Sequence, residues 1–163
     1  MTTRLLCSTV MLAVIGVNAA ARSEPTVLTG AWRVTEIRPD GPDPSTITSP
    51  QPGLLLFTGN HYSMLYINGD KPRPPVPRDA TAAEVWAFVT PFVANSGTYE
   101  IKGGTLTMRP IVAKDPGVMA AGAVLSYTVR LDGNTLTLTR QTKESTPNSP
   151  PANPTILKLA RVE

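Results

Sequence analysis

Cysteine and histidine are almost absent from this chain, with one of each among its 163 residues. The cysteine, Cys7, lies in the apolar N-terminal segment, so the chain that follows can form no disulfide and offers no thiol nucleophile. The lone histidine, His61, cannot assemble a zinc site, which takes three or four protein ligands. We therefore expect no metal and no cofactor.

The charge is small and scattered. Fifteen basic and twelve acidic side chains leave a net charge of +3, and no basic stripe with interleaved aromatic residues is present. Nucleic-acid-binding domains concentrate positive charge on one face, because phosphate contacts supply most of their affinity. The composition therefore argues against nucleic acid as a partner.

The motifs of the common enzyme classes are also missing. The sequence contains no G-x-S-x-G, no H-E-x-x-H, no P-loop and no G-x-G-x-x-G. The catalytic option that remains is acid–base chemistry by a carboxylate or a tyrosine, as in an isomerase or cyclase that acts on an apolar substrate.

Residues 1–21 have the features of a secretory signal peptide. Arg4 gives a positive start, residues 5–17 are mostly apolar, and Ala19-Ala20-Ala21 offers a cleavage site. The apolar run is shorter than the about 20 residues that span a bilayer, which disfavours the alternative of a membrane anchor. We expect one exported domain over residues 22–163, periplasmic or secreted, with no stable membrane span after cleavage.

What is abundant is the pattern of short strands. Period-two alternation and turn residues predict eight strands, over residues 30–38, 53–58, 61–68, 97–103, 104–113, 123–131, 134–141 and 155–162. Tight turns are predicted at Gly59-Asn60, Gly103-Gly104 and Asp132-Gly133. One helix is predicted from the capping box that starts at Thr81, followed by apolar residues at helical spacing.

The order of the connections predicts how the strands are arranged. Long links at 39–52, 69–96, 114–122 and 143–154 alternate with the tight turns, so in an up-and-down meander all tight turns lie at one end. Closure of such a sheet removes its edges. We therefore expect an all-β fold, an eight-stranded up-and-down antiparallel barrel, with the short helix capping its open end.

One pair of residues is expected to close this barrel. Gly30 and Trp32 open the first strand, and Arg161 ends the last strand beside them. A guanidinium over an indole ring contributes about 0.5–2 kcal/mol. The alternative is an unpaired arginine at the rim with an ordinary core tryptophan.

The same residues, together with three longer segments, resemble those of a known protein family. Gly30-Ala31-Trp32 with Arg161 is similar to the lipocalin signature, and the segments LFTGNHYSM, ANSGTYEIKGGTLTMRP and LDGNTLTLT resemble the bacterial lipocalin-like domain family over most of residues 28–162. The resemblance implies a calycin-type barrel that holds a small apolar molecule and implies no reaction. The chain departs from typical secreted lipocalins because it lacks a disulfide and a long C-terminal helix.

The expected ligand site is the mouth of the barrel. We expect a small hydrophobic or amphipathic ligand held by the polar residues of the upper strands and by aromatic side chains of the helix region: Glu36, Tyr62, Tyr66, Trp86, Phe92 and Arg109. Glu36 shares a face with Trp32 and is expected inside, with Arg109 as a possible partner, whereas His61 is expected to face outward in its turn. The alternatives are a surface salt bridge for Glu36 and Arg109, and a helix whose aromatic residues only seal it onto the barrel. Two alternatives to ligand binding also stay open for the function: the isomerase or cyclase, and a structural or interaction module with a filled core.

Overall fold

The computed structural model describes residues 28–39, 45–73, 75–141 and 155–162. The strands are β1 (Gly30–Arg38), β2 (Leu54–Thr58), β3 (His61–Ile67), β4 (Phe92–Lys102), β5 (Thr105–Ala113), β6 (Leu125–Asp132), β7 (Thr135–Arg140) and β8 (Ile156–Arg161). A helix, α1, spans Ala82–Val89, and a 3-10 turn spans Pro116–Met119. The predicted signal peptide and the link at 143–154 lie outside the described residues.

The strands form one closed antiparallel barrel. Each strand pairs with its neighbour in the sequence, and β8 pairs back with β1. The predicted eight-stranded up-and-down antiparallel barrel is therefore confirmed. The chain belongs to the group of up-and-down barrels in which closure leaves no strand edge exposed.

The three tight hairpins lie at one end of this barrel, which we call the closed end. The turn glycines Gly59, Gly103 and Gly133 have φ of 56°, 55° and 55°, a conformation that favours glycine over residues with a side chain. β1 begins and β8 ends at the same level. The connections between β1 and β2, β3 and β4, and β5 and β6 therefore lie at the opposite end, which we call the open end.

The barrel interior is filled by apolar side chains. Alternate residues of every strand point inward, and eleven strand residues in this core are less than 2% exposed: Trp32, Ile37, Leu55, Phe57, Met64, Leu106, Met108, Leu136, Leu138, Leu157 and Leu159. Eight-stranded barrels have an interior that side chains can fill or that holds one small ligand. In this barrel, side chains fill the interior from the closed end up to the level of Met64.

Trp32 and Arg161 lie side by side where β1 meets β8. The guanidinium carbon of Arg161 is 4.1 Å from the centroid of the Trp32 ring, as expected from the sequence. Trp32 Nε1 donates a hydrogen bond to the carbonyl of Leu28 at 2.8 Å, and Arg161 Nη1 donates one to the carbonyl of Thr29 at 2.7 Å. The pair thus fixes the chain that enters β1 against the end of β8.

A double-mutant cycle tests whether this contact stabilises the closed barrel. We expect Trp32→Leu and Arg161→Gln to be coupled by about 0.5–2 kcal/mol in urea unfolding, because each substitution removes the same cation–π contact. Arg130→Gln is the matched control, since Arg130 is an exposed arginine on β6. Its effect should add to that of Trp32→Leu, and additivity in both cycles would contradict a closing role for Arg161.

The helix lies in the connection between β3 and β4, at the open end. Its capping box is present: Thr81 Oγ1 accepts a hydrogen bond from the Glu84 amide, and the Thr81 amide donates to Glu84 Oε2 at 2.8 Å. None of its residues is buried, and Trp86 is 72% exposed. The alternative in which the aromatic residues of the helix only seal it onto the barrel is therefore wrong for Trp86, which faces away from the protein.

Two cationic side chains attach the helix beside the mouth instead. The guanidinium carbon of Arg73 lies 4.7 Å from the ring centroid of Phe88 and 5.3 Å from that of Phe92. Lys114 Nζ, just beyond β5, donates to the carbonyls of Val89 and Thr90, both at 3.2 Å. The helix end is thus connected to β4 and β5, while its own surface stays accessible.

Candidate ligand site at the open end

A cavity of about 190 Å³ lies inside the open end of the barrel. Its wall combines apolar, inward-facing residues of the strands with several polar groups. The lining residues include Met64, Tyr66, Phe92, Asn95, Leu125, Tyr127 and Arg140, with Lys114 and Asp115 at the rim. Below it, the interior is closed by the packed core. The cavity is therefore a shallow cup and not a channel through the barrel.

Arg140 is the charged residue that sequence reasoning missed. Leu136 and Leu138 are fully buried on β7, and Arg140 continues the same alternation, so its side chain points into the mouth. It pairs with Tyr127 on β6, and its guanidinium carbon is 5.7 Å from the Tyr127 ring centroid. The two-residue period of Leu136 and Leu138 was sufficient to place Arg140 inside.

Tyr62 lies under the cavity and supports it through Asn95. The Tyr62 hydroxyl donates a hydrogen bond to Asn95 Oδ1 at 2.7 Å, and the two residues are 4% and 7% exposed. Burial, and to a lesser extent the nearby Tyr127, raise the pKa of Tyr62 well above its usual range. Burial also raises the pKa of Tyr127, although the charge and hydrogen bond of Arg140 oppose that rise.

The raised pKa of Tyr62 predicts a loss of stability at alkaline pH. A tyrosine whose pKa is higher in the folded than in the unfolded state stabilises the protein fully below the unfolded value, about 10, and less as the pH rises above it. We expect the free energy of unfolding to fall above pH ~10 by up to about 1.4 kcal/mol per pH unit for each such tyrosine. Urea unfolding at pH 8 to 11 measures this slope.

Tyr62→Phe provides the comparison. It should cost about 1–3 kcal/mol at pH 8, because Asn95 loses its buried donor. It should also make the alkaline slope smaller, while Tyr127 keeps part of it. Parallel curves for the variant and the original chain would contradict this assignment.

The expectation that Glu36 points into the cavity is wrong. The pairing of β1 with β8 shifts between Val34 and Glu36, which is a β-bulge, and Ile37 takes the next inward position. Glu36 consequently faces outward, where its Oε2 lies 3.3 Å from Lys158 Nζ. One extra residue in a strand exchanges the two faces beyond it.

Arg109 likewise lies outside the cavity and does not contact Glu36. Its Nη2 is 2.7 Å from Glu100 Oε1 on the outer surface of β4, and its side chain is 52% exposed. A β-bulge is present in the pairing of β4 with β5, but it lies beyond Arg109 and leaves the direction of Arg109 unchanged. Lys102 first, and then Arg109, lower the pKa of Glu100 to about 2. Arg109 therefore forms a surface ion pair, as in the alternative given above, but its partner is Glu100 and not Glu36.

The remaining predicted residues divide between the cavity and the surface. Tyr66 and Phe92 line the cavity, and Tyr66 is 8% exposed. Tyr62 lies beneath it, and Trp86 is not part of its wall. His61 is exposed in the β2–β3 hairpin, as predicted.

The two charged residues at the rim are engaged in hydrogen bonds of the fold. Lys114 holds the carbonyls at the end of the helix, and Asp115 Oδ1 accepts from the amide of Gly117 at 2.8 Å. Across the described part of the chain, no cluster of three or more histidine, cysteine, aspartate or glutamate residues could hold a metal ion. Nor is any described helix long and apolar enough to cross a membrane.

A second concavity, of about 740 Å³, is larger and more open to solvent. It runs along the connection that precedes β2. Arg33, Leu54 and Leu65 of its wall point away from the barrel interior, whereas Tyr66 and Phe92 also line the inner cavity. The inner cavity is smaller, but it combines burial with converging polar groups, which is typical of ligand sites.

Comparison with known proteins gives one family and three similar solved structures. A family model described as a lipocalin-like domain matches residues 29–162. No curated protein matches the chain. Two of the similar structures are crystal structures of an uncharacterized protein from Bacteroides eggerthii and of a lipocalin-like protein from Bacteroides uniformis.

The likeness to these structures is distant. The sequence identities are 10% and 12%, and the TM-score is 0.43 for each. The matches cover 82% of this chain in both cases, and 98% and 97% of the other chains. At this TM-score the likeness adds nothing to the argument for the fold or the site.

Proposed function

We propose, starting from the fact that the chain belongs to the lipocalin-like domain family, that it binds a small amphipathic molecule in the mouth of its barrel. The observation that carries the proposal is the cavity at the open end, where apolar walls surround the polar groups of Asn95 and Arg140. Ligand sites are mostly apolar concavities with a few polar groups that fix orientation.

The volume limits the size of the ligand. At about 190 Å³, the cavity is smaller than sites for drug-sized ligands, which have about 300–1,000 Å³. A dry cavity of about 150 Å³ is enough for benzene. Because the packed core closes the interior below the level of Met64, a long acyl chain would not fit. The proposed ligand therefore consists of about one ring and a polar group.

The other functions considered from the sequence receive less support. An isomerase or cyclase needs an acid or base in the mouth, but Glu36 faces outward and Asp115 holds the Gly117 amide. Two tyrosines, Tyr66 and Tyr127, remain in the cavity wall, and burial raises the pKa of Tyr127, which makes it a poor base. The packed lower core does favour a structural module with a filled interior. A solid barrel, however, gives no account of an arginine directed into a cavity at the open end.

We propose that residues 1–21 direct export of the protein to the periplasm or the exterior. The support is the sequence pattern alone, since these residues lie outside the described ranges. The proposal agrees with a domain that is held together by its core and lacks any pair of cysteines.

Native mass spectrometry of the protein, purified without denaturation from an exporting host, tests both proposals. We expect a chain that has lost residues 1–21 and carries the added mass of one ring-sized molecule. Leu125→Trp should abolish the added mass, because Leu125 lines the cavity. Leu131→Trp is the matched control, since Leu131 is an exposed leucine on the same strand.

A bare mass for the original chain and for Leu131→Trp would contradict the binding function. Retention of the added mass by folded Leu125→Trp would place the ligand elsewhere. Near-ultraviolet circular dichroism shows whether the variant is folded. Retention of residues 1–21 in the exported protein would contradict the signal peptide and leave the binding function standing.

A further inference from the structure

We propose that the ligand of this cavity is a carboxylate, and that Arg140 binds the carboxylate group. The inference rests on the proposed function and names the chemical class of the ligand. It follows from the charge of Arg140, from the hydrogen-bonding groups around it, and from the size of the cavity.

The charge of Arg140 is not balanced within the described residues. Four ion pairs occur there, and all involve other residues: Lys102 and Arg109 with Glu100, Arg130 with Asp132, and Lys158 with Glu36. Where the structure describes the chain, the guanidinium of Arg140 lies against Tyr127, which is neutral because burial raises its pKa. An arginine keeps its charge at all ordinary pH values, so a half-buried one needs an anionic partner.

The net charge around the cavity is also positive. Lys114 and Arg140 are cationic, and Asp115 is the one carboxylate among the described lining residues. Lys114 and Asp115 are held by backbone groups, whereas Arg140 is directed toward the empty volume. An anion is therefore favoured over a cation or a neutral molecule.

The hydrogen-bonding groups select an acceptor. The guanidinium is a donor only, and its planar fork matches the two oxygens of a carboxylate. Asn95 uses its Oδ1 to accept from Tyr62, which leaves its Nδ2 group as a further donor at the cavity wall. An ionised carboxylate only accepts hydrogen bonds, so it complements both residues.

The apolar wall determines the remainder of the molecule. Met64, Tyr66 and Leu125 belong to the apolar part of the wall and can surround one ring. A benzoate-like molecule places its ring there and its carboxylate on Arg140. Inorganic phosphate would leave the apolar wall unused.

Titration with benzoate and with benzamide, its neutral analogue of equal shape, tests the inference by calorimetry at pH 7. We expect benzoate to bind at least about tenfold more tightly than benzamide, because a charged hydrogen-bonded pair contributes about 1.5–3 kcal/mol and 1.4 kcal/mol is tenfold. Arg140→Gln should weaken benzoate binding about 10- to 100-fold and leave benzamide binding unchanged.

Two further variants control the result. Arg130→Gln removes an exposed arginine from the neighbouring strand and should leave both affinities unchanged. Arg140→Lys keeps the charge but loses the fork, so its benzoate affinity should lie between those of the original chain and Arg140→Gln. Arg140→Lys carries the test if Arg140→Gln fails to fold.

Each contrary outcome has a separate meaning. Equal binding of benzoate and benzamide would overturn the carboxylate assignment and leave the proposed binding function intact. Phosphate that binds as tightly as benzoate would show a simple anion site and would also overturn the assignment. Absence of binding by every probe would overturn it too, and the co-purified mass would then decide the proposed function independently.

Discussion

The pairing of β8 with β1 is the constraint on which the rest of the structure depends. It joins the last strand to the first, so no edge remains and every strand acquires an inside and an outside. The alternation of side chains then assigns each residue to the core or to solvent. Trp32 and Arg161 lie at this junction, with the indole inside and the guanidinium over its face.

The same closure creates the contrast between the two ends. The lower interior accepts only apolar side chains, because a polar group there would lose its water without compensation. Toward the open end, polar groups appear in two pairs: Tyr62 bonds Asn95, and Arg140 lies against Tyr127. The tyrosine rings continue the core, while Asn95 and Arg140 line the cavity. The site is thus the upper layer of the core, with functional groups directed to its free surface.

Most of the fold could be predicted from the sequence, whereas much of the site could not. The glycine turns and the alternation of apolar residues are local signals, and they indicated the strands and their order. Glu36 was assigned to the wrong face because a bulge, which depends on pairing with β8, exchanges the faces after Val34. Arg140 followed the alternation of Leu136 and Leu138 and was predictable. Trp86 was misplaced because the helix is attached through Arg73 and Lys114, and helical periodicity gives no information about such contacts.

The central claim is that a ligand occupies the mouth above a filled core, and the four tyrosines test it most directly. Tyr66 and Tyr127 line the cavity, whereas Tyr99 packs against Phe57 with ring centroids 5.1 Å apart, outside the cavity wall. In a chain with ¹³C-labelled tyrosine rings, titration with benzoate should shift the resonances of Tyr66 and Tyr127 and leave those of Tyr99 in place. Shifts at Tyr99 without shifts at Tyr66 and Tyr127 would contradict the account, as would unchanged spectra at saturating benzoate.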